Sequence, residues 1–169
     1  SDLRKNLNYI SKKMHSKRNN LILMNQTHSN KVIEITKNNY KRKINSDAII
    51  SKVRGLLLGV VTADCVPILL YDKKNNIVGC IHAGWKGAFA GIIKKTISKI
   101  KRTNSSNQIF ASVGPCIGKK NYEVDLKFFN KFLNQSRGNK KYFSKKNKYK
   151  RIFDLRKFVA DRLLELNVK

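Results

Sequence analysis

The chain has 169 residues, 41% of them hydrophobic, and a net charge of +27 from 37 basic and 10 acidic side chains. This length and apolar content predict one domain over residues 1–169 and argue against a disordered chain. The longest apolar stretches, residues 56–63 and 66–71, are too short to span a bilayer, and the N-terminus has no secretory signal pattern. Three cysteines do not form a disulfide framework and fit a reducing compartment. We therefore expect a soluble cytoplasmic protein that does not contact membranes.

Hydrophobic periodicity predicts both helices and strands. Apolar residues recur at helical spacing over residues 2–16, which predicts the first helix. The other predicted elements, in chain order, are strands over 21–25, 31–36, 48–50, 56–62, 67–71 and 77–81, a helix over 87–101, a strand over 109–113, and helices over 126–133 and 154–166. Asp154 is the predicted N-cap of the last helix. Consecutive strands followed by helices predict an α+β fold, layered as a mixed sheet with flanking helices.

The excess of basic residues is the most unusual property of the sequence. A field of this size attracts polyanions, which makes a nucleic-acid-binding basic module one alternative function. The lysines are spread along the whole chain without a stripe, which favours non-specific polyanion contact instead. The lysine-rich residues 137–151 are predicted to form a solvated loop with one strand, and an anion-binding arm is the alternative interpretation.

Two histidines and one cysteine stand at the ends of predicted strands. His28 follows the first strand, Cys65 lies just past the strand 56–62, and His82 follows the strand 77–81. Two imidazoles and a thiolate are good Zn²⁺ ligands, and three protein ligands with an open fourth position are the catalytic arrangement. The separations of 37 and 17 residues match no local metal motif. Hydrogen-bonded histidines beside a packed cysteine are therefore the structural alternative.

A second chemical interpretation needs no metal. Cys65 would be a nucleophile with His82 as its base, and Asp64 or Gln26 would orient the imidazole, as in a Cys/His-dependent hydrolase. Asp64 and Cys65 are adjacent, so in an extended strand their side chains would face opposite ways. This hydrolase is the second alternative function.

Residues 113–118 (Val-Gly-Pro-Cys-Ile-Gly) predict a tight turn after a strand. The backbone amides between Gly114 and Gly118 could cradle a phosphate or an oxyanion. A plain structural turn, with Cys116 as a small packed residue, is the alternative.

Taken together, these segments resemble the laccase-domain purine nucleoside phosphorylases, a family formerly assigned as multicopper polyphenol oxidases. The matching stretches, in family order, are residues 26–28 (Gln-Thr-His), 47–48 (Asp-Ala), 62–67 (Thr-Ala-Asp-Cys-Val-Pro), 82–87 (His-Ala-Gly-Trp-Lys-Gly), 114–118, 122–124 (Tyr-Glu-Val) and 154–155 (Asp-Leu). They extend over nearly the whole chain. The pair formed by residues 62–67 and 82–87 is highly specific.

The resemblance implies a fold similar to toxin deamidases and cysteine hydrolases, and a Zn²⁺ ion on His28, Cys65 and His82. It implies phosphorolysis of adenosine to adenine and ribose 1-phosphate, with inosine, guanosine and methylthioadenosine as further substrates and deamination of adenosine as a related activity. Catalytic roles are expected for Cys65, Asp64 and His82. Residues expected to bind nucleoside or phosphate are Gln26, Lys86, Gly114 and Gly118.

The sequence departs from the family pattern in three places. We expect the chain to lack an upstream glycine-rich segment with an arginine and a downstream segment of the family. Lys86 stands where arginine is common, which keeps the charge but loses the planar fork. The chain has three histidines, too few for the copper centres of a multicopper oxidase, so any Cu²⁺ would be adventitious.

Overall fold

The computed structural model describes residues 2–102 and 108–169. The elements in chain order are α1 (Asp2–Lys13), β1 (Leu21–Leu23), β2 (Val32–Ile35), β3 (Ala48–Ser51), β4 (Leu57–Gly59), β5 (Val66–Asp72), β6 (Ile77–Ala83), α2 (Trp85–Phe89), α3 (Ile92–Lys101), β7 (Ile109–Val113), β8 (Glu123–Asp125), α4 (Leu126–Gln135), β9 (Phe143–Lys145), β10 (Lys150–Phe153) and α5 (Leu155–Leu164). Short 3-10 turns precede β1, β8 and β9.

The strands of the described residues form three sheets. A five-stranded sheet has the order β2-β3-β6-β5-β7, in which β2 and β3 are parallel and the other pairs are antiparallel. A parallel pair joins β1 to β4, and β8, β10 and β9 form a small antiparallel sheet. Mixed sheets flanked by helices confirm the predicted α+β class.

Both faces of the five-stranded sheet are covered where β3 lies. Ile50 belongs to the larger hydrophobic core with the buried face of α3, and Ile49 belongs to a smaller core with Ile22 of β1. Since successive residues of a strand point to opposite faces, β3 connects the two cores and is buried along its whole length. The sheet is therefore rigid at the point where β3 and β6 carry side chains toward the site.

The second half of the chain packs aromatic rings against the larger core. Phe132 of α4 is fully buried and contacts the rings of Phe153 and Phe158. Asp154 caps α5 by accepting the backbone N–H of Lys157 at 2.9 Å, which confirms the predicted N-cap. This aromatic layer supports α2, which begins beside the candidate site.

Three predicted elements differ from the structure. The helix predicted over 87–101 is two helices, because Gly91 has a φ of 82° and this left-handed conformation ends α2 before α3 begins. Residues 137–151 were predicted to contain one strand, but they contain a 3-10 turn and β9 and extend into β10. Strand β8, which lies before this segment, was not predicted. The first helix ends at Lys13 instead of Ser16. The single domain over residues 1–169 stays a prediction.

Of the helices in the described ranges, none combines the length and the apolar character that crossing a membrane requires.

Candidate metal centre

The structure brings His28, Cys65 and His82 together from three separate segments. Cys65 directly precedes β5 and His82 lies in β6, and the antiparallel register pairs Pro67 with His82. His28 lies in the loop between β1 and β2. The ligand atoms of the three side chains all lie within 4.8 Å of one another, with 3.7 Å between Cys65 Sγ and His28 Nε2. This group could hold a metal ion.

Asp47 connects two of these three side chains. Its buried carboxylate lies 2.8 Å from His82 Nδ1 and accepts the backbone N–H of His28 at 2.9 Å. An ionised carboxylate has no proton to give, so Nδ1–H of His82 is the donor. Nε2 of His82 is then left for the site, as in the carboxylate–histidine pairs of metal proteins.

Asp47 also shapes the loop that carries His28. The carboxylate accepts the backbone N–H groups of Thr27 at 3.2 Å and Ser29 at 2.7 Å, and the Ser29 hydroxyl at 2.7 Å. His28 has a φ of 58°, a left-handed conformation that costs a non-glycine residue about 1–3 kcal/mol. The hydrogen bonds to Asp47 offset this strain and hold the backbone of the loop that carries His28.

The pKa of Asp47 reflects this network. Burial alone would raise the pKa of this carboxyl, but hydrogen bonds from Ser29, His82 and the backbone N–H groups of Ser29 and Thr27 lower it to about 2. Asp47 is therefore ionised at neutral pH. Its charge is satisfied almost entirely by uncharged donors.

Cys65 has the opposite shift. Burial raises the pKa of its thiol, and the charges of Asp64 and Asp47 raise it further. Without a cation beside it, Cys65 is a thiol and a poor nucleophile, whereas a bound cation favours the thiolate.

The predicted orienting groups for His82 were Asp64 or Gln26. That prediction is wrong, because Asp47 orients this imidazole.

A cavity of about 290 Å³ opens beside the three ligands. Its walls are formed by His28, Asp64, Cys65, Trp85, Lys86, Ile117, Tyr122 and Leu155. His82 is only 3% exposed whereas His28 is exposed, so the group is reached from the His28 side. Of the residues predicted to be catalytic or to bind substrate, Asp64, Cys65 and Lys86 line this cavity.

Three residues predicted to bind substrate do not line this cavity. The Gln26 amide donates to the Val61 carbonyl at 2.7 Å and accepts the Val61 N–H at 3.0 Å, so it ties two loops together. The N–H of Gly114 donates to the Pro67 carbonyl at 2.9 Å. Gly118 is exposed, and Ile117 is the residue of this turn that reaches the cavity. The structure supports the plain structural turn.

Gly84 is needed for the close approach of the ligands. A Cβ atom at this position would lie 2.8 Å from Cys65 Sγ and 3.0 Å from the Cδ2 atom of His28. Both distances are shorter than normal van der Waals contact. Only glycine therefore lets the chain pass from β6 into α2 beside the metal ligands.

Sequence reasoning gave no role to Asp47, Trp85 or Tyr122. Each belongs to a motif that carries the family resemblance, which was the available signal. Burial raises the pKa of Tyr122 to about 12, and the charge of Cys65 once it is ionised and the charge of Asp64 add to the shift. The phenol is therefore protonated over the physiological pH range, and because Tyr122 lines the cavity it can donate a hydrogen bond to a molecule bound there.

The family model described as multi-copper polyphenol oxidoreductase laccase matches residues 1–169. The chain belongs to this family. A purine nucleoside phosphorylase of Rickettsia conorii is 36% identical over 156 residues, covering 90% of this chain and 63% of the relative. This member of the laccase family thus spans less than two thirds of the length of that relative.

Solved structures support the fold of this laccase-family chain. The hypothetical protein YfiH of Bacillus licheniformis matches with a TM-score of 0.90 at 24% identity, covering 98% of this chain and 66% of that chain. YlmD of Geobacillus stearothermophilus matches with a TM-score of 0.85 at 22% identity, covering 95% and 64%. At these identities the likeness concerns the fold alone.

Proposed function

We propose that this protein is a zinc-dependent purine nucleoside phosphorylase that converts adenosine and phosphate to adenine and ribose 1-phosphate. Inosine, guanosine and methylthioadenosine are its further proposed substrates. The observation that carries the proposal is the convergence of ligand atoms of His28, Cys65 and His82 within 4.8 Å, beside a cavity that His28 and Cys65 line. The name of the Rickettsia relative supports the substrate class.

The donor set fits zinc. Two imidazole nitrogens and one thiolate are ligands that Zn²⁺ accepts, and three protein ligands leave a coordination position for substrate. Asp47 supplies the carboxylate partner that a zinc-bound histidine usually has on its other nitrogen. When bound, Zn²⁺ would supply a Lewis acid that polarises a substrate oxygen. His28, Cys65 and His82 would hold the ion.

The other side chains of the cavity suit glycosidic bond cleavage. A phosphate oxygen forms a bond to C1′ of the ribose while the C1′–N9 bond breaks, and the bonding electrons leave with the purine, which takes up a proton. Tyr122, protonated because its pKa is about 12, donates a hydrogen bond to the departing base. Asp64 would pass to the purine the proton that the attacking hydrogen phosphate gives up, and Lys86 attracts the phosphate.

The histidine count argues against oxidation by several copper ions. The third histidine, His15, is exposed and lies just after α1, and it is not part of the group formed by the other two. A blue-copper site alone uses two histidines with a cysteine, so His15 alone would remain, which is too few for a trinuclear centre. Copper at this site is therefore proposed to be adventitious.

The decisive experiment is chromatography of adenosine incubated with the zinc-loaded protein, with and without phosphate. Adenine formed only with phosphate supports phosphorolysis. Inosine, formed with or without phosphate, would instead support the related deaminase activity. Absence of any product from all four nucleosides, in a protein with one zinc ion per chain, contradicts the proposed activity.

Matched variants test whether zinc binding and turnover depend on the three ligands and not on other cysteines and histidines. Cys65→Ala and His28→Ala should abolish both zinc binding, measured by atomic absorption, and turnover. Cys116→Ala and His15→Ala remove the same groups from positions outside the metal group and should leave zinc content unchanged. Full zinc occupancy in Cys65→Ala would contradict the ligand assignment.

We propose a cytoplasmic location, supported by the three cysteines, which are all free in the structure. The net charge of +27 supports non-specific contact with polyanions. A dedicated nucleic-acid-binding module would bind RNA or DNA tightly at physiological salt, unaffected by Cys65→Ala. Fluorescence anisotropy that detects no binding under these conditions would exclude that alternative.

A further inference from the structure

Trp85 lines both the metal-ligand cavity and a second cavity. The cavity beside the ligands, about 290 Å³, lies at the small end of the range for ligand sites. The second cavity, about 850 Å³, shares Trp85 as a wall and is otherwise formed by residues of α4 and its N-cap. A nucleoside and a phosphate ion together need more room than the first cavity offers. The second cavity is the adjoining space.

Cationic groups surround the indole of Trp85. The Nζ atom of Lys131 lies 5.2 Å from the Trp85 ring centroid and 5.4 Å from that of Phe89. The Nζ atom of Lys86 lies 5.9 Å from the Trp85 centroid. Lys127, one turn before Lys131 on α4, lines the same second cavity. Cations at these distances are attracted to the ring face, which holds the ammonium groups near the shared wall.

Among the described residues, no carboxylate forms an ion pair with these cations. Within residues 2–102 and 108–169, no ion pair involves Lys86, Lys127 or Lys131, whereas Lys146 and Lys150 both pair with Glu123. Asp125 lines the second cavity, but its Oδ1 atom accepts the backbone N–H of Phe128 at 2.7 Å and caps α4. The positive charge beside Trp85 is therefore available to an anion from solvent.

The indole itself is held in place. Its ring packs edge-to-face on Phe128, with centroids 4.9 Å apart, and lies 6.5 Å from the buried ring of Phe132. Because Phe128 and Lys131 are three residues apart on α4, the same helix turn carries both the support of the ring and the cation over it. The arrangement is thus a supported aromatic ring with two ammonium groups over it.

We propose that Lys86 and Lys131, held at the Trp85 ring, form the site that binds the phosphate co-substrate between the two cavities. Lys127 adds long-range attraction. This assignment rests on the proposed phosphorylase function and extends it, since it gives the anion a binding site on α4 that the metal ligands and their own loops do not supply. The nucleoside then occupies the cavity beside His28 and Cys65.

The experiment uses the fact that Trp85 is the only tryptophan in the chain. Its fluorescence therefore reports on this site alone, even though many other cations of the protein attract anions. Inorganic phosphate is titrated into the zinc-loaded protein at constant ionic strength, with chloride as the reference anion. We expect a saturable change in emission with phosphate and none with chloride.

Two variants and one control define the site. Lys131→Gln and Lys86→Gln should each raise the phosphate Kd about tenfold, because a charge-assisted hydrogen bond is lost, and Lys131→Arg should restore it. Lys13→Gln removes an equal charge from a lysine over the Tyr9 ring on α1 and should leave the Kd unchanged. A phosphate Kd unchanged in both site variants would overturn the proposal.

Steady-state kinetics distinguish a failure of this site from a failure of the proposed function. In an active enzyme, Lys131→Gln should raise KM for phosphate about tenfold and leave KM for the nucleoside unchanged. Saturable phosphate binding without phosphorolysis would contradict the phosphorylase activity and support the anion site. Phosphorolysis with an unchanged phosphate KM in Lys131→Gln would overturn the site and support the activity.

Discussion

Two carboxylates, Asp47 beside the metal ligands and Asp161 on α5, have the same lowered pKa of about 2 for different reasons. Asp47 is fully buried, and hydrogen bonds from Ser29, His82 and backbone N–H groups outweigh its burial. Asp161 remains partly exposed. There, hydrogen bonds from Lys141, Lys157 and Tyr142 outweigh a burial effect that alone would raise the pKa.

The two carboxylates therefore have different roles: Asp47 positions other residues, whereas Asp161 takes part in electrostatic interactions at the surface. Asp47 connects the loop of residues 27–29 to a histidine 35 residues away, so its hydrogen bonds fix the geometry of a site. Asp161 forms an ion pair with Lys157, one turn away on α5, and another with Lys141, which lies in the 3-10 turn before β9. Exposed lysines are mobile and screened by salt, so these pairs add little to stability. An equal pKa therefore does not mean an equal role.

The largest expected effect is that of Asp47→Asn. The amide NH₂ group would face N–H donors of the loop, leaving buried donors unpaired at a cost of about 1–3 kcal/mol. Zinc affinity should fall about 10- to 100-fold, because His82 loses its carboxylate partner. Competition with a chromophoric chelator measures the affinity, and circular dichroism checks the fold. Unchanged zinc affinity in the folded variant would remove the positioning role of Asp47.

Gly84→Ala sharpens the comparison by disturbing the ligands while leaving Asp47 intact. The new Cβ atom would lie 2.8 Å from Cys65 Sγ, so the thiolate or the His28 ring has to move. We expect about tenfold weaker zinc binding, the lower end of losses seen when ligand orientation is disturbed. Gly138→Ala, whose Cβ would meet only Ser136 Oγ at 3.5 Å, is the control. Equal zinc affinity in the two variants would contradict this account of the glycine.

Asp161→Asn should have a much smaller effect. The variant loses ion pairs with Lys141 and Lys157, which are worth about 0–1 kcal/mol at a surface. Denaturant unfolding followed by circular dichroism measures the change, and zinc affinity should equal that of the wild type. A loss of zinc affinity as large as in Asp47→Asn would break the distinction between the two carboxylates.

The smallest expected effect is the salt and pH dependence at Asp161. Its folded pKa of about 2 lies below the usual aspartate value of 3.8, so the stabilisation is present above pH 3.8 and is lost as the pH falls toward about 2. In 1 M NaCl this pKa should move back toward 3.8, because the two lysines are screened, while the Tyr142 hydrogen bond persists. Carboxyl chemical shifts followed by NMR titration test this. A pKa insensitive to salt would make Tyr142 the dominant partner.

Much of the architecture follows from local sequence patterns. The alternation of β5 and the isoleucine spacing of α3 predict a strand and a helix, because one face of each must be buried. Asp154 is recognisable as an N-cap since its side chain acts on a backbone N–H three residues ahead. By contrast, the three residues of β8 carry too little periodicity to be recognised, and their pairing with β10 depends on a distant segment.

The sequence by itself determined the α+β class, the family, and the residue types that could bind a metal, because these depend on local pattern and side-chain chemistry. Only the tertiary structure decided that Asp47, and neither Asp64 nor Gln26, orients His82. It also decided that Trp85 lines two cavities and that Lys131 of α4 lies over its ring. Both results come from contacts between segments far apart in the chain. Such contacts are fixed by how the elements pack against one another, and no local pattern encodes them.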